Sequence, residues 1–174
     1  MGPLERIIDE MNGCVAAGFP LVAISVAVAL PSVCASTEMA DGRALQAEYL
    51  NWCRANLYPN KGFDSISAEE LYSIRNGFSH QGKSEILNNS KGKLTKPYQH
   101  GRVIFMLSEG IAWISCSNHL DDELVYQYSL EHFCKNMGAA SLEWLSQNTA
   151  NEIVQANLEK IATYRTFDGI KAIY

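Results

Sequence analysis

A mainly α fold, a helical bundle with a small inserted β-hairpin, is what this 174-residue sequence predicts. Three observations carry it. Apolar residues recur at helical spacing through the first third and again after residue 130. Two S/T-x-x-E patterns stand where helices should open. Between these helical stretches, Val103–Leu107 and Ile111–Cys116 are β-rich runs separated by Ser108-Glu109-Gly110, which reads as a hairpin over about 102–116. The length and the 47% apolar content suit one domain, residues 1–174, with one core.

Leu4, Ile7, Ile8 and Met11 follow i, i+3, i+4, i+7, and Pro3 stands at a helix start. Ala16 to Ala35 then carries no charge, a length close to the ~20 residues of a membrane span. Its flank holds Glu5, Asp9 and Glu10 against Arg6, acidic where a signal peptide is basic, and Pro20 and Pro31 bracket its centre. The run reads as a buried core helix over 20–34, not a membrane span. Asp41 is placed to cap a third helix with Leu45, Tyr49, Trp52, Cys53 and Leu57 on one face, ending before Tyr58-Pro59-Asn60-Lys61-Gly62.

The fourth helix has the clearest start. Ser67 and Glu70 form a capping box, Ile66 and Leu71 flank it as a hydrophobic staple, and Gly82 is placed to stop it. Residues 82–101 read as a loop. Leu130, Phe133, Cys134, Met137 and Trp144 define a later helix, and Thr149 with Glu152 predicts a last capped helix bearing Val154, Leu158 and Ile161. Trp52, Trp113 and Trp144 are expected in core or interface. The five cysteines, 14, 34, 53, 116 and 134, lack C-x-x-C spacing and read as reduced thiols of a cytoplasmic protein.

The candidate functional segment is Arg75-Asn76-Gly77-Phe78-Ser79-His80. At ~100° per residue, Leu71, Ile74 and Phe78 face the core. Arg75 and Ser79 lie to one side, and Asn76 and His80 are i, i+4 partners on the far side. Arg holds a phosphate through two parallel hydrogen bonds. His exchanges protons near neutral pH, and Asn76 is placed to fix the ring or touch substrate. Lys83, Lys91, Lys93, Lys96 and Arg102 follow against Glu85 alone, so residues 83–102 carry +4 while the chain carries −5. Positive charge is thus concentrated beside the motif, as phosphate tracking requires, with Tyr98 and His100 able to stack on bases.

Other chemistries find less support. There is no G-x-S-x-G, P-loop or G-x-G-x-x-G pattern. Cys116-x2-His119 and His132-x-Cys134 suggest zinc, yet residues 132 and 134 are ~200° apart on a helix, so neither metal nor cofactor is expected. Asp121-Asp122-Glu123 reads as an acidic turn or helix start, and residues 166–174 offer no functional signal.

Residues Leu71 to Gly82 resemble the motif segment of the HEPN superfamily, small helical bundles marked by Arg, a polar residue and then His in a late core helix. The resemblance extends to the apolar ALPSVCA-like helix upstream, to Tyr49-Leu50-Asn51-Trp52-Cys53 and to Leu130-Glu131-His132-Phe133-Cys134, and so covers most of the chain. It implies a metal-independent endoribonuclease working as a homodimer, in a toxin or phage-defence role, with an antitoxin or other partner protein. Arg75 and His80 would be its catalytic pair and Asn76 a support. Ser79, Lys83, Lys91, Lys93, Lys96 and Arg102 would bind RNA. The alternatives are a non-catalytic HEPN-like dimer that binds nucleotide, RNA or a partner, and a helical adaptor without RNA contact.

Overall fold

The computed structural model describes residues 1–58, 62–81, 85–87, 100–106, 115–120, 123–161, 164–167 and 170–173. Its helices are α1 Pro3–Ala16, α2 Pro20–Glu38, α3 Gln46–Asn56, α4 Ala68–Gln81, α5 Leu130–Gln147 and α6 Glu152–Leu158. Its strands are β1 Glu85–Leu87, β2 His100–Met106, β3 Ser115–Leu120, β4 Glu123–Ser129, β5 Tyr164–Phe167 and β6 Ile170–Ile173. The fold is a helical bundle and belongs to the mainly α class.

Leu4, Ile8 and Met11 of α1 are buried, as their spacing requires. The helix ends in a Schellman motif: Phe19 N–H donates to the Cys14 carbonyl and Gly18 N–H to Val15. Gly18 sits at φ 76, a conformation that favours glycine. The chain thereby turns directly into α2, which opens with Pro20 at its first position.

At the centre of the bundle, α2 packs against α1, α3, α4, α5 and α6. It runs through Pro31, whose missing N–H removes the bond to the Ala27 carbonyl. It also runs past residue 34. Asn157 of α6 donates to the carbonyls of Thr37 and Met39 at 3.1 and 2.8 Å, satisfying the end of the longer helix. Among the described helices α2 alone is long and apolar enough to cross a membrane, and half of its apolar window is buried inside the protein.

Two expected caps are corrected. Asp41 does not cap α3: its carboxylate accepts from Arg43 N–H at 3.1 Å in a local turn. The chain stays extended to Leu45, whose N–H donates to Glu48 at 2.9 Å. Leu45 is therefore exposed and not on the core face with Tyr49, Trp52, Cys53 and Leu57. Thr149 does not cap α6 either, because its hydroxyl donates back to the Ser146 carbonyl. Asn151 takes that role, its side-chain oxygen accepting from the N–H groups of Ile153 and Val154. The helix closes at Leu158, before Ile161.

The β insertion is present, but its strands do not pair as one hairpin over 102–116. β4 lies between β2 and β3, giving the order β1-β2-β4-β3. β2 pairs with β4 in parallel, with Val103 opposite Tyr126, and β3 pairs with β4 antiparallel, with Asn118 opposite Val125. The reason is β4 itself. Val125, Tyr126 and Tyr128 are all buried, so this strand takes the central position that covers most apolar surface. Residues 107–114, with Ser108-Glu109-Gly110 and Trp113, lie outside the described residues. The tail adds a second antiparallel hairpin, β5–β6.

One aromatic cluster joins sheet to bundle. Phe105 of β2 stacks edge-on with Phe133 of α5 at 4.9 Å and with Phe78 of α4 at 6.2 Å, and Tyr128 and Phe63 complete it. The α1–α5 contact depends on Gly138. A Cβ there would lie 2.9 Å from Cγ2 of Ile8, which is buried and β-branched and cannot give way. Gly138→Ala gains about 1 kcal/mol of helix propensity but incurs about 1–3 kcal/mol of overpacking. The expected outcome by thermal unfolding is a net loss, a Tm lower by about 2–4 °C per kcal/mol.

Candidate functional site

The motif occupies the C-terminal half of α4, and the start of that helix fixes its position. The capping box forms as its spacing requires. Glu70 accepts from Ser67 N–H at 2.7 Å and Ser67 Oγ at 2.8 Å, while Glu70 N–H donates to Ser67 Oγ at 3.2 Å. Glu70 is fully buried and its other oxygen accepts from the Tyr126 hydroxyl at 2.8 Å. One carboxylate therefore ends the helix and ties it to β4. Leu71 and Ile74 are fully buried, Ile66 is buried beside them, and Phe78 is half-buried against Phe105. Gln81 ends α4 where expected; Gly82 lies outside the described residues.

The polar members are placed unequally. Ser79 and His80 are exposed and Asn76 is half-buried. Arg75 is half-buried like Asn76. Its Nη1 donates to Asn76 Oδ1 at 2.9 Å. Its Nε is buried and has no hydrogen-bond partner among the described residues. No described carboxylate forms an ion pair with it; Glu69 on the same helix is taken by Arg54. On the α3 side, burial pushes the Tyr49 phenol well above its ordinary value, Cys53 adds to this, and Arg75 opposes it. Asn76 thus orients the guanidinium and has no hydrogen bond to His80 among the described residues. The structure brings Arg75 and Asn76 into contact and leaves His80 open one turn further on.

Of the expected phosphate-tracking residues, Lys83, Lys91, Lys93 and Lys96 lie outside the described residues, as does Tyr98. Arg102 is exposed on β2, in register with Glu85 of β1 and Val125 of β4. β1 packs against α4, so this strand edge adjoins the motif helix. The site also includes a residue that its sequence did not mark. Tyr126 holds Glu70, and nothing local links positions 56 residues apart. The β-branched and aromatic residues Val125, Tyr126 and Tyr128 were the available signal for its strand.

Among the described residues no group of three His, Cys, Asp or Glu is placed to hold a metal ion. Cys116 and His119 stand in β3 opposite Gln127 and Leu124. His132 Nδ1 is hydrogen-bonded to Ser129 Oγ at 3.0 Å, and Cys134 is buried in the core. Cys14, Cys34, Cys53 and Cys134 are free thiols. Burial pushes the Cys134 thiol up to about 12 and raises Cys34 and Cys53 further. These acids stay protonated in the folded chain and ionise first in the unfolded one. Their contribution to stability should therefore be constant well below pH 9.0, the ordinary thiol value, and fall as pH rises above it. Thermal melts at pH 8 and pH 10.5 check this, with a lower Tm expected at the higher pH.

No protein-family model, curated protein or solved structure matches this chain.

Proposed function

We propose that this protein is a metal-independent endoribonuclease of HEPN type, with Arg75 and His80 as its catalytic pair. The observation that carries the reading is the state of Arg75. The guanidinium is held by Asn76, lacks a carboxylate partner among the described residues, and precedes an open histidine on the same helix by about one and a half turns. An oriented cation without a counter-ion suits an anion, and RNA supplies one at every phosphate.

RNA also carries its own nucleophile. A neutral His80 takes the 2′-OH proton, and O2′ attacks phosphorus. Arg75 stabilises the charge that develops on the phosphoryl oxygens. The P–O5′ bond breaks, and a protonated imidazole returns a proton to the leaving O5′. The products are a 2′,3′-cyclic phosphate and a 5′-hydroxyl. One imidazole is not base and acid in the same step, so the reading expects a homodimer whose second copy supplies the other His80. Ser79, Arg102 and the lysines 83, 91, 93 and 96 would track the RNA backbone. A cytoplasmic toxin or phage-defence role, with an antitoxin or other partner, belongs to the same proposal.

A second reading, a non-catalytic dimer that binds nucleotide, RNA or a partner protein, is favoured by the partial burial of Arg75, since part of its fork is turned away from any ligand. Incubating purified protein with total RNA in EDTA separates the two. The ribonuclease cleaves and His80→Ala does not. Binding without cleavage by wild type overturns the ribonuclease and supports the binding module.

A further inference from the structure

Tyr72 of α4 differs from Tyr49, Tyr58, Tyr126 and Tyr128. The hydroxyls of those four all have hydrogen-bond partners. That of Tyr72 has none among the described residues. Its ring is half-buried at the margin of the core and meets Tyr49 of α3 edge-on, with centroids 5.1 Å apart and planes at 63°. Tyr49 is fully buried and donates to the Val28 carbonyl at 3.3 Å, so this support is fixed. In an edge-to-face pair one ring offers only its rim, so Tyr49 covers at most one face of Tyr72.

We propose that Tyr72 is a platform on which a nucleobase stacks beside the phosphate that Arg75 holds. The proposal rests on the ribonuclease reading and adds to it how the base is gripped. Angle is the first argument. At ~100° per residue, Tyr72 lies inside the arc bounded by Arg75, ~60° to one side, and His80, ~80° to the other. Asn76 and Ser79 share that arc, while Leu71, Ile74 and Phe78, which pack against the core, fall outside it.

Position along the helix is the second argument. Tyr72 precedes Arg75 and Asn76 by ~4.5–6 Å, and Asn76 precedes His80 by a further ~6 Å. The row therefore runs ring, cation, proton carrier. Neighbours three or four positions apart stand about 5–6 Å from each other at Cβ, a span that one nucleotide bridges from base to phosphate. Chemistry is the third. Proteins hold single-stranded RNA with an aromatic face for the base and a cation for the backbone, and this helix presents both within one turn. Such a face accepts any base and ranks them by stacking strength, purines above pyrimidines.

Hexamers of 2′-O-methyl RNA test this without cleavage, because their nucleophile is blocked. Fluorescence anisotropy in EDTA compares adenylate, uridylate and abasic hexamers of equal charge. Wild type should bind them in that order, with adenylate about 5- to 100-fold tighter than abasic. Tyr72→Leu keeps an apolar contact with Tyr49 but has no π face. It should remove most of the adenylate advantage and leave the abasic affinity within about 2-fold. Tyr72→Phe should bind like wild type. Equal wild-type affinity for adenylate and abasic hexamers overturns the proposal, and that result needs no variant to fold. So does a Tyr72→Leu protein that loses both hexamers equally, which would make the ring a packing residue, or one that loses neither. Cleavage of unmodified RNA, run in parallel, keeps the two readings apart. A protein that cuts RNA without the base effect loses the platform alone, and one that neither binds nor cuts loses both.

Discussion

By the proposed ribonuclease mechanism, Arg75→Ala should lower RNA cleavage by about 100- to 1,000-fold, the usual cost of removing one preorganised charge donor from a developing oxyanion. Arg75 contributes position as well as charge. Its Nη1 is fixed on Asn76 and its Nε is buried, so the guanidinium plane is set before any substrate arrives. Arg75→Lys keeps the charge but loses both the fork and the planar contact with Asn76, and should recover less than a tenth of the activity. Asn76→Ala leaves the cation in place but frees it to turn. A loss on the order of 10-fold in kcat is expected, since orientation and not charge is removed. Single-turnover rates on a defined RNA check all three. Equal losses for Arg75→Ala and Asn76→Ala would mean that Asn76 does more than hold its neighbour.

Glu70→Ala should produce the largest fall in stability, about 2–4 kcal/mol. Two losses combine. Removing the carboxylate opens the α4 capping box at Ser67, which costs about 1 kcal/mol. It also removes the buried acceptor of the Tyr126 hydroxyl and leaves space in a closed interior. For a chain of this size, the Tm should fall by roughly 10 °C. Tyr126→Phe removes one end of the same link and should cost about 1 kcal/mol. In a double-mutant cycle the pair should be non-additive by at least about 0.5 kcal/mol. Strict additivity would show that the cap and the strand contact act separately. The consequence for the site is direct: α4 presents Arg75 and His80 only while its first turn is held against β4.

Much of the bundle was legible because apolar spacing and caps act locally. Leu4, Ile8 and Met11 marked α1, and Ser67 with Glu70 marked the start of α4 to the residue. Asp41 and Thr149 misled because each makes a nearer bond, to Arg43 and Ser146, that a cap pattern does not reveal. The extent of α2 was not legible, since Asn157 supports its end from 120 positions away. Nor was the strand order. β4 wins the central place through the burial of Val125, Tyr126 and Tyr128, a property of the assembled sheet. In the motif, the helical wheel placed Ile74 and Phe78 inward and His80 outward, and the structure agrees. It missed the partial burial of Arg75, because a wheel draws one helix and omits the neighbouring α3.

The chemistry at Arg75 and His80 has one direct measurement, the end groups of RNA fragments produced in EDTA. Wild type should leave 2′,3′-cyclic phosphate and 5′-hydroxyl ends, and His80→Ala should produce none. Fragments ending in a 3′-hydroxyl, or the same ends from the His80 variant, would contradict the account.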